Sequence, residues 1–559
     1  MEDHVVKMLT NRIARYGSKE VIRFREKEKS ALSWNDLGEQ VRQVMVALQS
    51  LGCGEGENVG IFSPNRAEWL IADLGIMANR CVTVPMYATS SPEQLRYIIQ
   101  EAEIRVLFVG SRDQLDKIKD LPKEVDALEM LVVFDEGDTS SDHMMGFSHF
   151  LDLSREKEER LKDKWNHYRP DDIATIIYSS GTTGEPKGVV LKHSHFAHTF
   201  RAHDKRLDIH EDDVSLSFLP LSHVFERLWT HYMLHCGVVN VFLDNPREVM
   251  SALTTVKPTL MCTVPRFFDK TYQGIRDEVG SWPVIKQKIF HWAMRSGLKA
   301  NVYHSCSKKI PWFLKQQLTV ADALVHKRLR NVFGGNIRLM PCAGAALNTD
   351  ILKFFHAMGL FIVYGYGLTE TTATVSCFRA DHFKYGTCGD VMPDVEVKLG
   401  ENYEILVRGE NVFSGYYKKP EETETVLKDG WFHTGDEGRF DEDGHLIMVD
   451  RIKDLMKTSV GKYVSPQKLE MLLTQDELVE QVVVVGDGQP YVTALIVVEP
   501  EQLKQVVEDL DISPGKGEKL TSSAEVRRLL EKRLERIQQR LPSYEKVVDF
   551  RLLDEPFTM

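Results

Sequence analysis

The stretch YSSGTTGEPKGVVL occupies residues 178–191, directly after the apolar run 173–177. Two β-prone segments therefore flank a loop holding three glycines, several hydroxyls and Lys187. Glycines let backbone N–H groups approach a bound anion, hydroxyls donate to phosphate oxygens, and an ammonium adds a full positive charge. The composition points to a polyphosphate. The spacing is GxxGxxKG with no Ser or Thr after the lysine, so it is not the Walker pattern. Taken alone, the segment fits a plain glycine turn in a hairpin equally well, and the rest of the chain has to decide.

At 559 residues the chain is too long for one hydrophobic core, so two or more domains are expected. With 43% apolar and 27% charged residues it has the balance of a globular protein rather than a disordered or fibrous one. The net charge of −12 argues against a broad nucleic-acid surface and favours small-molecule partners. The eight cysteines are scattered without a CxxC pair, which suggests neither a zinc site nor a disulfide framework and makes a reducing cytoplasm the expected location. The start MEDHVVKMLTNRIARYG carries charge where a signal peptide would be apolar, and no run approaches the length of a membrane span.

The first third alternates helical patterns at 37–51 and 67–77 with short apolar strands, VGIF at 59–62 and CVTVPM at 81–86. Such alternation predicts an α/β fold with parallel-type sheets covered by helices. The acidic, Ser-rich segment 134–147 is expected to be a surface loop. Between 380 and 450 short strands separated by turns predict a small β-barrel or meander, with DEDG at 441–444 a hairpin turn rather than a calcium loop. Beyond it, VVVVGDG and YVTALIVVE predict a hairpin. A helix opened by SSAE follows, with Val526, Leu530, Leu534, Ile537 and Leu541 at a 3.6-residue period until Pro542. The expected division is 1–452, containing the β-rich 380–450, and a small mobile α+β unit at 453–559.

Further motifs follow in order: FLPLSHVFER at 218–227 with His223, VYGYGLTET at 363–371, WFHTGDEGRF at 431–440 with Asp436, and VDRIKDLMKTSVGKYVSP at 449–466. Together with YSSGTTGEPKG they resemble the acyl-adenylate-forming superfamily of acyl-CoA synthetases, luciferases and peptide-synthetase adenylation domains. The resemblance runs over nearly the whole chain. PLSHVFER, the VPRFF of 264–268 and the helical insert before CAGAAL (342–347) look most like long-chain fatty acyl-CoA synthetases.

That resemblance implies ATP-dependent activation of a medium- to long-chain fatty acid to acyl-AMP, then transfer to CoA. ATP and CoA would be substrates and Mg2+ the metal. By resemblance, Ser179, Ser180, Thr182, Thr183 and Lys187 would hold the ATP phosphates, Thr369 the α-phosphate, and Glu370 magnesium. Gly344, Ala345 and Ala346, with Tyr364, Gly365, Tyr366 and Gly367, would form the adenine site, Tyr366 stacking on the base. Asp436 and Arg451 would bind the ribose, His223 would line the carboxylate pocket, and Lys457 joins the catalytic set. Lys453 would be the hinge about which the small domain turns, and Gly461 would line the CoA channel. The histidines His193, His195, His198 and His203 lack zinc-helix spacing and are expected on the surface.

The chain departs from the family pattern twice. TSVGKYVSP (458–466) is one residue longer than a common form, and at LLDEPFTM the sequence shows no counterpart of the C-terminal adenylation lysine. The expectation is a shortened chain or one impaired in adenylation. This leaves two alternatives open: a synthetase for aryl or other carboxylates, and a non-catalytic nucleotide- or acyl-binding homologue. A long-chain substrate also implies supply from the inner face of a membrane. The Arg- and Lys-rich helix after SSAE has interspersed glutamates and is expected to be a solvated face.

Overall fold

The computed structural model describes residues 2–25, 30–135, 142–155, 168–179, 185–451, 456–459, 462–510, 519–539, 541–555 and 557. A seven-stranded sheet runs Met144–Gly146, Met130–Val133, Val106–Val109, Asn58–Phe62, Val82–Met86, Ile173–Ser179 and Lys187–Lys192. All its neighbours are parallel except the final pair, an antiparallel pair consecutive in the chain. Its central strands are buried along their whole length, as expected for a parallel sheet covered on both faces. The helix Ala67–Ala78 is apolar nearly all round and almost wholly buried against this sheet, so it is an interior helix.

A second layer pairs Val214–Ser217 with Val239–Phe242, and Leu339–Cys342 with Phe361–Tyr366 in parallel; Leu260 bridges the two groups. An antiparallel five-stranded sheet follows, in which Trp431–Phe440 pairs with three neighbours. Asp441–Gly444 turns between Trp431–Phe440 and Leu446–Arg451, and the Lys384 ammonium lies 3.1 Å from Asp441 and 2.7 Å from Asp443. A protein cation thus already neutralises the acidic turn read as a hairpin. The last sheet orders Val479–Val485, Val492–Val498 and Val547–Leu553 around its own core with the helix Ala524–Ile537.

Three sequence expectations change. The segment 134–147 is not loop throughout, because Met144–Gly146 adds an edge strand and Phe147 starts a helix packed on Phe108 and Phe134. The last helix stops at Ile537 instead of running to 541, and Gln538, just beyond it, takes the Val547 N–H on its side chain at 2.7 Å. The four histidines expected on the surface are buried. Their helix, His193–Asp204, lies against both the N-terminal helix and Val224–Cys236, with His193 stacked on His4 at 3.6 Å and His203 tilted against Tyr232 at 5.2 Å.

At the centre, Arg227 of the helix Val224–Cys236 donates through Nε to Asp73 at 3.0 Å and through Nη1 to Thr175 on the Ile173–Ser179 strand. His231 Nε2 lies 2.9 Å from the same carboxylate, and every member is buried. Burial would raise the Asp73 carboxyl, but the Arg227 charge and the His231 contact hold it down to about 2. Its contribution to stability is therefore present above the ordinary carboxylate value and is lost as pH falls toward 2. Breaking a buried pair by removing one partner strands the other charge. Arg227→Met should cost about 3–5 kcal/mol in urea unfolding, and adding Asp73→Asn should recover part of it. No loss in the single variant would contradict this role.

On the same helix Glu226 is fully buried, with Oε2 accepting the Leu219 N–H at 3.2 Å, and burial pushes its carboxyl up to about 8. A carboxyl raised on folding loses stability as pH climbs from its unfolded to its folded value. Glu226→Gln keeps an accepting oxygen but does not titrate. Its stability relative to wild type should grow by roughly 1.4 kcal/mol per pH unit from about 5 to about 8 and then level off. A difference independent of pH in urea melts would refute the assignment.

Candidate active site

The strand Phe361–Tyr366 carries the chain from the core to the site, and a tight turn then reverses it. At Gly367 a Cβ would lie 2.0 Å from the Ala373 carbonyl oxygen, so no larger residue fits that approach. Thr372 and Ala373 hold left-handed φ values of 50° and 72°, a strained geometry for residues with a Cβ. Asn411 supports it from below: buried, it donates to the Thr371 and Thr374 carbonyls at 3.2 and 3.3 Å, while its own carbonyl accepts the Thr372 hydroxyl at 2.7 Å. This turn presents Thr369 and Glu370, both half-buried, on one helical turn.

Tyr366 donates its hydroxyl to Asp436 Oδ2 at 2.6 Å, and Arg451, opposite Asp436 across the Trp431–Phe440 and Leu446–Arg451 strands, places Nε 3.3 Å from Oδ1. Burial, reinforced by the Asp436 charge, keeps the Tyr366 phenol protonated far above its ordinary range. Gly344, Ala345 and Ala346 form an exposed shelf beyond the strand Leu339–Cys342, with Gly344 at φ +90°. Tyr364 accepts the Leu347 N–H at 3.4 Å and so fixes the end of that shelf.

Beyond the Thr369–Glu370 turn, Lys187 pairs with Glu422 and lies 5.4 Å from the Tyr416 ring centroid. The Tyr416 hydroxyl in turn donates to Glu370 Oε1 at 2.9 Å. The lysine of the glycine loop and the acid of the LTET turn thus share one tyrosine. Burial, with the Glu370 charge, holds that phenol above its usual range and keeps it a donor. Ser179 closes the base of the loop, its hydroxyl 3.5 Å from the Lys187 carbonyl. Ser180, Thr182 and Thr183 lie outside the described residues, as do Lys453 and Gly461.

His223 caps the helix Val224–Cys236, its Nδ1 accepting the Phe225 N–H at 3.2 Å. That bond fixes the tautomer with hydrogen on Nε2, and burial lowers its proton affinity, so the ring is neutral. The same helix helps to wall a small pocket with Phe225, Trp229 and Tyr232, which Tyr366, His203 and Thr374 also line. His203 Nδ1 lies 2.7 Å from the Thr199 carbonyl and Nε2 3.4 Å from the Thr374 hydroxyl; burial brings its pKa down to about 4. Lys457 is placed apart from these groups, on the short strand Met456–Lys457, with its N–H on Asp487 at 2.9 Å.

The structure therefore brings together Tyr366, Asp436 and Arg451, and separately Lys187 and Glu370. Sequence reading missed Tyr416, Asn411, Trp229, Tyr232 and His203. Only the aromatic spacing of Phe225, Trp229 and Tyr232 along one helix face could have signalled part of this, and core packing gives the same spacing.

The AMP-binding enzyme family model matches residues 9–417, and the model for the AMP-binding enzyme C-terminal domain matches 453–553. A long-chain-fatty-acid–CoA ligase of Mycobacterium bovis, FadD15, is 36% identical over 478 residues, 84% of this chain and 78% of its own. Long chain acyl-CoA synthetase 1 of Arabidopsis thaliana is 34% identical over 86% of this chain and 75% of its own. Among solved structures, the anthranilate CoA ligase AuaEII in complex with anthranoyl-AMP superposes with a TM-score of 0.72 at 21% identity, covering 99% of this chain and 93% of that one, a likeness of fold. With the family model spanning most of its length over a site of this geometry, the chain belongs to the AMP-binding enzymes.

Proposed function

We propose that this protein activates a medium- to long-chain fatty acid with ATP, forming acyl-AMP and releasing pyrophosphate, and then passes the acyl group to CoA. The observation that carries this reading is one continuous path. The chain leaves the apolar pocket at Tyr366 and within four residues delivers Thr369 and Glu370, the latter linked through Tyr416 to Lys187. An apolar cavity thus ends at a cluster chemically suited to phosphates. The relatives named as long-chain ligases support the choice of acid.

In this reading Lys187 and the loop hydroxyls bind the β- and γ-phosphates, and Thr369 donates to the α-phosphate. Tyr366, the exposed 344–346 shelf and Asp436 hold the nucleoside, with Arg451 at its ribose. The neutral His223 offers Nε2–H to the acid's carboxylate, orienting an oxygen for in-line attack on the α-phosphorus as pyrophosphate leaves. A magnesium ion fits Glu370, whose carboxylate oxygens suit a hard cation and whose orientation Tyr416 fixes; bound there, it would neutralise phosphate charge. For the second half-reaction, the segment 453–559 would turn about Lys453, with Lys457 and Gly461 reaching the site and the CoA thiolate attacking the acyl carbonyl as AMP departs. Supply of a long acid implies work close to a membrane.

The aromatic pocket walls favour a second reading, an aryl acid packed against Phe225, Trp229 and Tyr232. An acid panel from acetate to oleate plus benzoate and anthranilate, read as pyrophosphate release and acyl-CoA formation, separates the two. Long acids should give the highest kcat/KM, and an optimum at benzoate would transfer the assignment to the aryl class. ATP binding without any turnover would leave a nucleotide-binding protein.

The cluster itself is tested by Lys187→Met and Glu370→Gln. Each should lower pyrophosphate release about a hundredfold or more while leaving the melting temperature within a few degrees. Tyr416→Phe removes only the orienting hydroxyl and should cost about tenfold, with a raised magnesium requirement. Wild-type rates in Tyr416→Phe would remove it from the site.

A further inference from the structure

We propose that the helical hairpin formed by Val284–His304 and Trp312–Ala321 is a docking surface for an anionic lipid bilayer. In a chain of net charge −12, residues 279–321 contain no Asp or Glu and seven Lys or Arg. All seven are exposed, and none takes part in an ion pair among the described residues. Elsewhere the surface is threaded with opposite-charge pairs. Here it is uniformly basic.

The same hairpin exposes large apolar side chains. Ile285 is 73% accessible, Val284 and Val302 65%, Trp312 76%, Phe313 55% and Val320 51%. Single exposed apolar residues are ordinary, but a group of this size on one element marks an interaction surface. The hairpin is not itself loosely attached. Its other side, with Phe290, Ala293, Met294 and Ala321, is buried in the core that also contains Phe355, and Leu314 is buried as well. The exposed residues are thus the outer face of a firmly held element.

Spacing concentrates the feature at the turn between the helices. Arg295, Leu298, Lys299 and Val302 follow i, i+3, i+4, i+7 and share one helix face. Lys308 and Lys309 occupy the turn, and Trp312, Phe313 and Lys315 begin the next helix. Aromatic rings beside lysines suit the headgroup boundary, where rings enter the acyl region and ammonium groups meet lipid phosphates. No helix is long and apolar enough to cross a membrane among the described residues, so contact would be interfacial. The other basic helix, Ala524–Ile537, lacks these features: its apolar stripe of Val526, Leu530 and Leu534 is buried and Glu525, Glu531 and Glu535 alternate with its cations. An isologous second copy would set one basic hairpin against another, which like-charge repulsion disfavours, so charge selects an anionic bilayer over a symmetric dimer on this face, and the inference stands whichever acid the enzyme prefers.

The test is vesicle co-sedimentation of the full chain with phosphatidylcholine alone or with about 30 mol% phosphatidylglycerol, with and without about 0.5 M salt. Two variants accompany it: Trp312→Ser/Phe313→Ser, and Lys308→Glu/Lys309→Glu/Lys315→Glu. Wild type should bind the anionic vesicles at least about tenfold more than neutral ones and be released by salt, and both variants should lose about tenfold in binding. Circular dichroism and turnover of a water-soluble short acid check that they remain folded. Wild type failing to bind anionic vesicles, or folded variants binding as well as wild type, would overturn the proposal. So would a dimer on gel filtration that Trp312→Ser/Phe313→Ser dissociates in the absence of lipid binding, which would give the surface to a second copy.

Discussion

The buried contact of Arg227 with Asp73 and Thr175 fixes the relation of the three elements on which the site depends. Asp73 belongs to the interior helix, Arg227 to the helix that walls the pocket, and Thr175 to the strand that enters the glycine loop. Thr175 also donates to Thr83 on the neighbouring strand at 2.7 Å, which extends the network into the sheet. Desolvating an arginine and a carboxylate is costly, and the cost is offset only where geometry satisfies both groups. The helix cannot slide along the sheet without stranding these charges. Pocket wall and the Ile173–Ser179 strand are therefore held in fixed register.

From that frame the site divides into two chemical environments joined by a short turn. On the pocket side, burial keeps His203 and His223 neutral and the Tyr366 phenol protonated, so the wall is uncharged and suits an apolar substrate. On the other side, Lys187, Glu370 and Glu422 gather charge around Tyr416. The junction is the Gly367–Ala373 turn, whose left-handed residues are held by Asn411. Local strain of this kind persists where the surroundings over-determine it. Here it places the two environments a few residues apart.

Charge is also unevenly distributed on the outside of the molecule. The acidic surface is laced with ion pairs such as Arg80 with Asp172 and Arg105 with Glu129, whereas the 279–321 hairpin has only cations. Exposed pairs of this sort add little to stability, so their distribution bears on what the surface meets more than on how the chain folds.

Local elements and the order of the motifs were legible in the sequence. Strand and helix alternation named the parallel sheet and the SSAE start named the last helix, because each signal depends on residues within one or two turns of the chain. It also placed Tyr366 and Asp436 in one site, through resemblance rather than spacing. What long-range packing controls became visible with the fold. His203, read as surface, became a pocket wall because its helix is covered by Val224–Cys236, which lies more than a dozen residues away in sequence. Tyr416 joined Lys187 to Glu370 because Val189 pairs with Tyr416 across a bridge that no local pattern encodes. Burial and charge pairing are properties of which segments meet, and 559 residues in order do not state that until they fold.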